Sequence, residues 1–327
     1  MKIAVIFTGG TIASRKKEGY ITPGEEQGEK LIEIYRKRSG RQVSFETGCP
    51  YFILSENLSG ILIRKLGMAL EEKMEGDCDG VIVVHGTDTL QYSAAAMGYL
   101  FGKGCKPVVF VSSNYILEDS RANGADNFYY AVEFIARKKG GVWISYRNQD
   151  GITYIHRAGR VLPHLPYSDE VFSACGQYFG KYEEGEFIAN PAYKEREDAI
   201  KPLSCLSMEE YSGIFMAAVY PGMQYSEYCS ALSDKVKAVI LHAYHSGTLR
   251  TDAPEFQAFL EAAERKGIPV CLTGASGENL YASMKEIEGL IVPENMSPVA
   301  VYMKLWLLFA NGREILELTE SLGEDIF

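Results

Sequence analysis

Two threonines follow glycine-bearing turns. Thr11 stands in TGGTIA (residues 8–13), and Thr87 stands in HGTDT (residues 85–89) with Asp88 beside it. A threonine hydroxyl becomes an effective nucleophile when a neighbouring base takes its proton and fixed donors meet the oxyanion it creates. Glycine lets backbone amides approach a bound group closely, and a helix start adds attraction for negative charge. The two turns together point to acyl transfer, or to the cradling of a carboxylate or a phosphate. TGGTIA has neither the GxGxxG nor the GxxxxGK[ST] spacing, so nucleotide binding is weakly supported.

Each turn ends an apolar run, residues 2–7 before the first and 80–84 before the second. Similar runs recur at 106–111, 141–145, 213–220, 236–242 and 268–273. Most are continuous rather than alternating, as in strands covered on both faces. Helical periodicity lies between them, at 60–73, 92–101, 254–266 and 298–310. The rhythm predicts an α/β fold of two domains: a larger N-terminal one with a mostly parallel sheet flanked by helices, and a smaller C-terminal one with its own parallel sheet. Residues 1–185 are expected to form the first domain, 186–212 a linker and 213–327 the second. In such sheets ligands bind beyond the carboxyl ends of strands. Those exits also include Ser112-Ser113-Asn114, Tyr244 to Thr248 and Thr273 to Ser276.

The formal net charge of −10 and the scattered lysines and arginines argue against a nucleic-acid surface. The basic spots Arg15-Lys16-Lys17 and Arg36-Lys37-Arg38 are short and read as solvated faces. No apolar run approaches the roughly 18 residues that span a bilayer, and the N-terminus lacks a signal-peptide pattern. The seven cysteines show no CxxC spacing, so neither zinc nor a disulfide framework is expected. A cytoplasmic location and a small-molecule partner follow as expectations. His156, His242 and His245 have no metal-ligand spacing and read as structural.

TGGTIA and HGTDT, in that order and about 75 residues apart, resemble the two signature motifs of the bacterial-type L-asparaginases. The likeness extends to VYPGM at 219–223, similar to the strand that opens the family's smaller domain. The resemblance implies a cofactor-free amidohydrolase in which Thr11 attacks the substrate's side-chain amide, releasing ammonia and leaving an acyl-enzyme for water. It makes Tyr20, in KKEGYITPG, the partner of Thr11 on a mobile loop that closes over the substrate. It assigns Thr87 and Asp88 to the second catalytic pair, with Asp88 meeting the α-ammonium. LSENLS at 54–59 is similar to the segment that grips the α-carboxylate, which gives Ser55 and Glu56. Glu56 departs from the neutral residue usual there, and a carboxylate repels another. In AGRVLPHLPYSDEVF, Gly159-Arg160 leads to His164 where the family has lysine, with Asp169 and Phe172 supporting that register. Imidazole is shorter than lysine and titrates near neutrality, so the pH profile or the substrate should change.

The resemblance further implies a homodimer or homotetramer, with Glu278 a candidate for an acid supplied between subunits. The leading expectation is hydrolysis of L-asparagine to aspartate and ammonia. The alternatives are another amide, such as glutamine, D-asparagine or a modified asparagine, and a binding or regulatory protein weakened in catalysis by the change to His164.

Overall fold

The computed structural model describes residues 1–17, 20–23, 26–275, 281–284 and 287–327, without the side chains of residues 15–17, 20–23, 26, 27 and 282. The chain opens with strand β1 (Lys2–Phe7), then the ribbon β2 (Ser14–Lys17) and β3 (Tyr20–Pro23), helix α1 (Glu26–Arg38) and strand β4 (Ser44–Gly48). There follow α2 (Gly60–Glu75), β5 (Gly80–Val84), α3 (Leu90–Phe101), β6 (Val108–Val111), α4 (Gly124–Ile135) and β7 (Val142–Arg147). Three further strands, β8 (Thr153–Arg157), β9 (Gly180–Glu183) and β10 (Glu186–Ala189), complete this half. The rest carries β11 (Ile214–Ala218), α5 (Tyr225–Ala231), β12 (Ala238–His242), α6 (Pro254–Arg265), β13 (Val270–Thr273), β14 (Leu290–Ile291) and α7 (Pro298–Ala310).

An eight-stranded sheet runs in the order β10-β9-β8-β7-β6-β5-β1-β4. From β4 to β7 neighbours are parallel, and beyond β7 they are antiparallel. The continuous apolar runs become parallel strands, buried almost throughout in β1, β5, β6, β7, β12 and β13, where both faces are covered, and half-exposed in the edge strand β11. Ala4, Ile6, Val81, Val83 and Phe110 pack on one side with residues of α2, α3 and α7. Ile3, Val5, Ile82, Val84 and Val109 pack on the other with residues of α1 and α4. Burying such a residue contributes about 1.5–3 kcal/mol relative to exposure. The second sheet is four-stranded and parallel, in the order β11-β12-β13-β14, with a core of its own that includes Phe256, Phe259 and Leu260 of α6. The fold is thus α/β, a large mostly parallel sheet between helices with a smaller parallel sheet after it.

The antiparallel strands β8, β9 and β10 extend the large sheet where the sequence shows no apolar run. GKYE alternates buried with half-buried positions, and EFIA, at the sheet edge, is mostly exposed. After α7 the chain returns to β8, where buried charges meet. Lys304 Nζ lies 2.9 Å from Asp325 Oδ2 with both side chains fully buried, and the Tyr99 hydroxyl donates to the same oxygen at 3.0 Å. Arg157 Nε lies 3.2 Å from Glu324 Oε2, and Arg160 Nε donates to the Glu324 carbonyl at 2.6 Å. Among the described residues, no helix is long and apolar enough to cross a membrane.

Candidate active site

The three turns named in the sequence meet at the carboxyl ends of β1 and β5. Thr8 continues β1 by donating its amide to the Val84 carbonyl at 3.0 Å, and its hydroxyl donates to the same oxygen at 3.1 Å. Gly10 N–H then donates to the Ile53 carbonyl at 3.2 Å, and Ile53 N–H donates to the Thr8 carbonyl at 3.1 Å. Side chains are excluded from these crossings. A Cβ on Gly9 would stand 2.0 Å from the Ile53 oxygen, one on Gly10 2.3 Å from Gly86 Cα, and one on Gly86 2.5 Å from Ser55 Cβ. Gly9 and Gly10 also hold φ of 110° and 81°, which an L side chain resists. The glycines therefore serve contact between backbones, bringing residues 8–11, 53–56 and 85–89 together.

Thr11 is half-buried and opens a 3-10 turn, Thr11–Ala13, fixed by the Ser14 hydroxyl donating to the Gly10 carbonyl at 2.8 Å. Ser55 is buried, and its hydroxyl donates to Asp88 Oδ2 at 3.5 Å, while Thr89 Oγ1 donates to the Ser55 carbonyl at 2.9 Å. Glu56 is exposed on the same turn. Tyr20 lies in the backbone of β3, opposite Lys17 of β2, and its side chain is among those outside the description. Glu278 lies outside the described residues.

A cavity of about 300 Å³ opens beside the second turn, and Thr87, Asp88, His164 and Asp169 all line it. Thr11, Ser55 and Glu56 are not among its lining residues; their turns approach through Gly10, Gly86 and the Ser55–Asp88 hydrogen bond. His164 is carried there by the stretch that follows Arg160. Its Nε2 is buried without a hydrogen-bond partner, and its ring meets Tyr146 edge-on at 5.9 Å between centroids. Burial holds the imidazole below its ordinary pKa, against the opposing pull of Asp169 and Asp88. The ring is therefore neutral at pH 7 and able to accept a proton. Behind it, His156 bonds Ser173 Oγ at 2.8 Å, and burial, reinforced by His164, pushes it down to about 3. His242 contacts Thr273 Oγ1 at 3.1 Å, and His245 is exposed.

Several lining residues escaped the sequence reading as site residues. Asp169 served there only to fix register, yet it accepts the Tyr146 hydroxyl at 2.5 Å and faces the cavity. Gln149 lines it from beyond the exit of β7, and Asn114, named in the sequence only as part of a strand exit, from the exit of β6. The rule that ligands gather at strand exits, applied to every parallel strand, finds both.

The family described as Asparaginase, N-terminal matches residues 2–183, more than half of the chain. The D subunit of the glutamyl-tRNA(Gln) amidotransferase of Pyrococcus abyssi (strain GE5 / Orsay) is 27% identical, covering 98% of this chain and 75% of that protein. The protein of the same name from Sulfurisphaera tokodaii is 23% identical, over 99% and 75%. In structure, the chain is similar to L-asparaginase I from Vibrio cholerae O1 biovar eltor str. N16961, with a TM-score of 0.82 at 20% identity over 100% of this chain and 99% of the other. It is similar also to the thermostable L-asparaginase from Thermococcus kodakarensis, with a TM-score of 0.79 at 20% identity and the same coverage. Paired threonine turns on a matching sequence and a matching fold place the assignment beyond a single motif: the chain belongs to the asparaginase family of amidohydrolases.

Proposed function

We propose that the protein hydrolyses the side-chain amide of L-asparagine, or of an asparagine modified elsewhere, through an ester on Thr11. The Thr11 hydroxyl adds to the amide carbon, ammonia leaves with one added proton, and water then cleaves the ester to give the acid and free threonine. Tyr20 is the partner of the Thr11 hydroxyl. Asp88 binds the substrate ammonium, and Thr87 holds the attacking water. His164 accepts that water's proton, the task for which a neutral imidazole is suited. The observation that carries this reading is the backbone contact of Gly10 with Gly86, which sets the Thr11 turn against the Thr87–Asp88 turn. The reading includes a homodimer or homotetramer in the cytoplasm.

The test is ammonia release from L-asparagine, L-glutamine and L-asparagine amide by the purified protein and its Thr11→Ala variant. Release from an asparagine compound that falls about a thousandfold or more in the variant, with its circular dichroism unchanged, is the expected result. Undiminished turnover in the variant overturns the reading. Thermal stabilisation by these compounds with no turnover in the parent protein points instead to a binding role.

A second reading, transfer of the ammonia to an acceptor, is favoured by the name of relatives that match 98–99% of this chain. Turnover sustained by the isolated chain supports plain hydrolysis. Turnover that requires a second protein supports transfer.

A further inference from the structure

The charge around the cavity is one-sided. Asp88 and Asp169 both line it, Glu56 stands exposed on the turn whose Ser55 touches Asp88, and no lysine or arginine is among its described lining residues. The titratable lining groups are otherwise His164, whose ring burial keeps neutral at pH 7, and the phenols Tyr115 and Tyr167. Arg121, a cation close to this rim, is already engaged: it stacks over Tyr115 at 4.0 Å, and both Asp119 oxygens hold it, at 2.9 and 2.8 Å. Asp169 is fixed as well, since the Tyr146 hydroxyl donates to it at 2.5 Å. The Ser55 hydroxyl donates to Asp88, which takes it away from a substrate carboxylate.

A free amino acid brings one ammonium and one carboxylate. Asp88 alone can neutralise the ammonium, which leaves Asp169 for the carboxylate to meet, with no lysine or arginine among the described lining residues. Like charges held close in a partly enclosed site repel, enough to alter kcat/KM by about tenfold. A substrate whose α-carboxyl is blocked removes that repulsion and keeps the attraction of its ammonium.

We propose that the site takes an asparagine-type amide with a free α-amine and a blocked, uncharged α-carboxyl, and that Asp169 selects against the free carboxylate. The inference rests on the amide-hydrolysis reading above and narrows its substrate. For L-asparagine amide the reaction consumes one water, breaks the C–N bond of the side-chain amide and yields ammonia with aspartic acid α-amide.

The experiment compares kcat/KM for L-asparagine and L-asparagine amide, following ammonia and separating the products by chromatography. The expected result is a preference of about tenfold for the amide, with aspartic acid α-amide as product. The preference should narrow in Asp169→Asn, which keeps an acceptor for Tyr146. Thr11-dependent release with L-asparagine equal or preferred overturns this inference and leaves the amide-hydrolysis reading standing. Loss of the α-amide instead of the side-chain amide also overturns it. Release from neither compound overturns the reading and the inference together.

Discussion

Charge is handled in opposite ways at two places in this molecule. Under the C-terminal tail, Lys304, Asp325, Arg157 and Glu324 are buried, and each has a partner of opposite sign within 3.2 Å. At the cavity, Asp88 and Asp169 face open space beside a neutral histidine, with no described lysine or arginine on the lining. The buried ions meet opposite charge, whereas the cavity carboxylates are held by neutral hydroxyls, Ser55 on Asp88 and Tyr146 on Asp169. The uncompensated ones stand where a ligand can supply the missing charge, and the difference separates charge that organises the chain from charge kept for a visitor.

Removing a partner from each region should separate the two most widely. Lys304→Met leaves Asp325 buried and unpaired, and we expect a loss of about 3–5 kcal/mol in urea denaturation. Asp169→Asn should change stability by less than about 1 kcal/mol while altering substrate preference. Equal losses in both variants break the contrast.

Gly10→Ala tests whether the glycine crossing holds the site together. The new methyl meets Gly86 Cα at 2.3 Å and enforces an unfavourable φ of 81°. A loss of about 3 kcal/mol, accompanied by loss of ammonia release, is expected from strain and overpacking. A variant with parent stability shows that the turns are free to part.

The buried imidazoles give a smaller effect with a definite sign. Burial pushes His85 down to about 4 and His156 to about 3. Below the ordinary value near 6.5 the unfolded chain binds protons that the folded chain refuses, so stability is lost as pH falls. Between pH 7 and 5.5 each histidine should contribute about 1 kcal/mol of loss, read as a lower urea midpoint. A midpoint that stays level or rises on acidification counts against this burial.

Much of this was legible in the sequence, for reasons that differ by element. Seven of the parallel strands announced themselves as unbroken apolar runs, within a few residues, whereas β4 and β14, parallel strands at the sheet edges, left none. The antiparallel strands β8 to β10 left none either: β8 buries polar residues such as Thr153, His156 and Arg157, and β9 and β10 are partly exposed, so all three look like polar loop. The glycine turns were legible as turns, but what each glycine avoids, the Ile53 carbonyl or the Gly86 backbone, depends on chain brought from about 45 to 75 residues away. Asp169 was hidden for a related reason: its place opposite Asp88 is set by the path after β8. Lys304 left one trace, a lone cation in the apolar stretch PVAVYMKLWLLFA, which calls for a buried partner that sequence spacing does not name.

The glycine crossing also bears on how the site comes into being. Thr8 and Gly10 are tied by backbone hydrogen bonds to Val84 and Ile53, so the turn extends the ladder of the sheet. Its stability is shared with the most protected strands, and opening it means breaking into that cooperative unit. Folding and assembly of the threonine turns are then one event, completed before any substrate arrives.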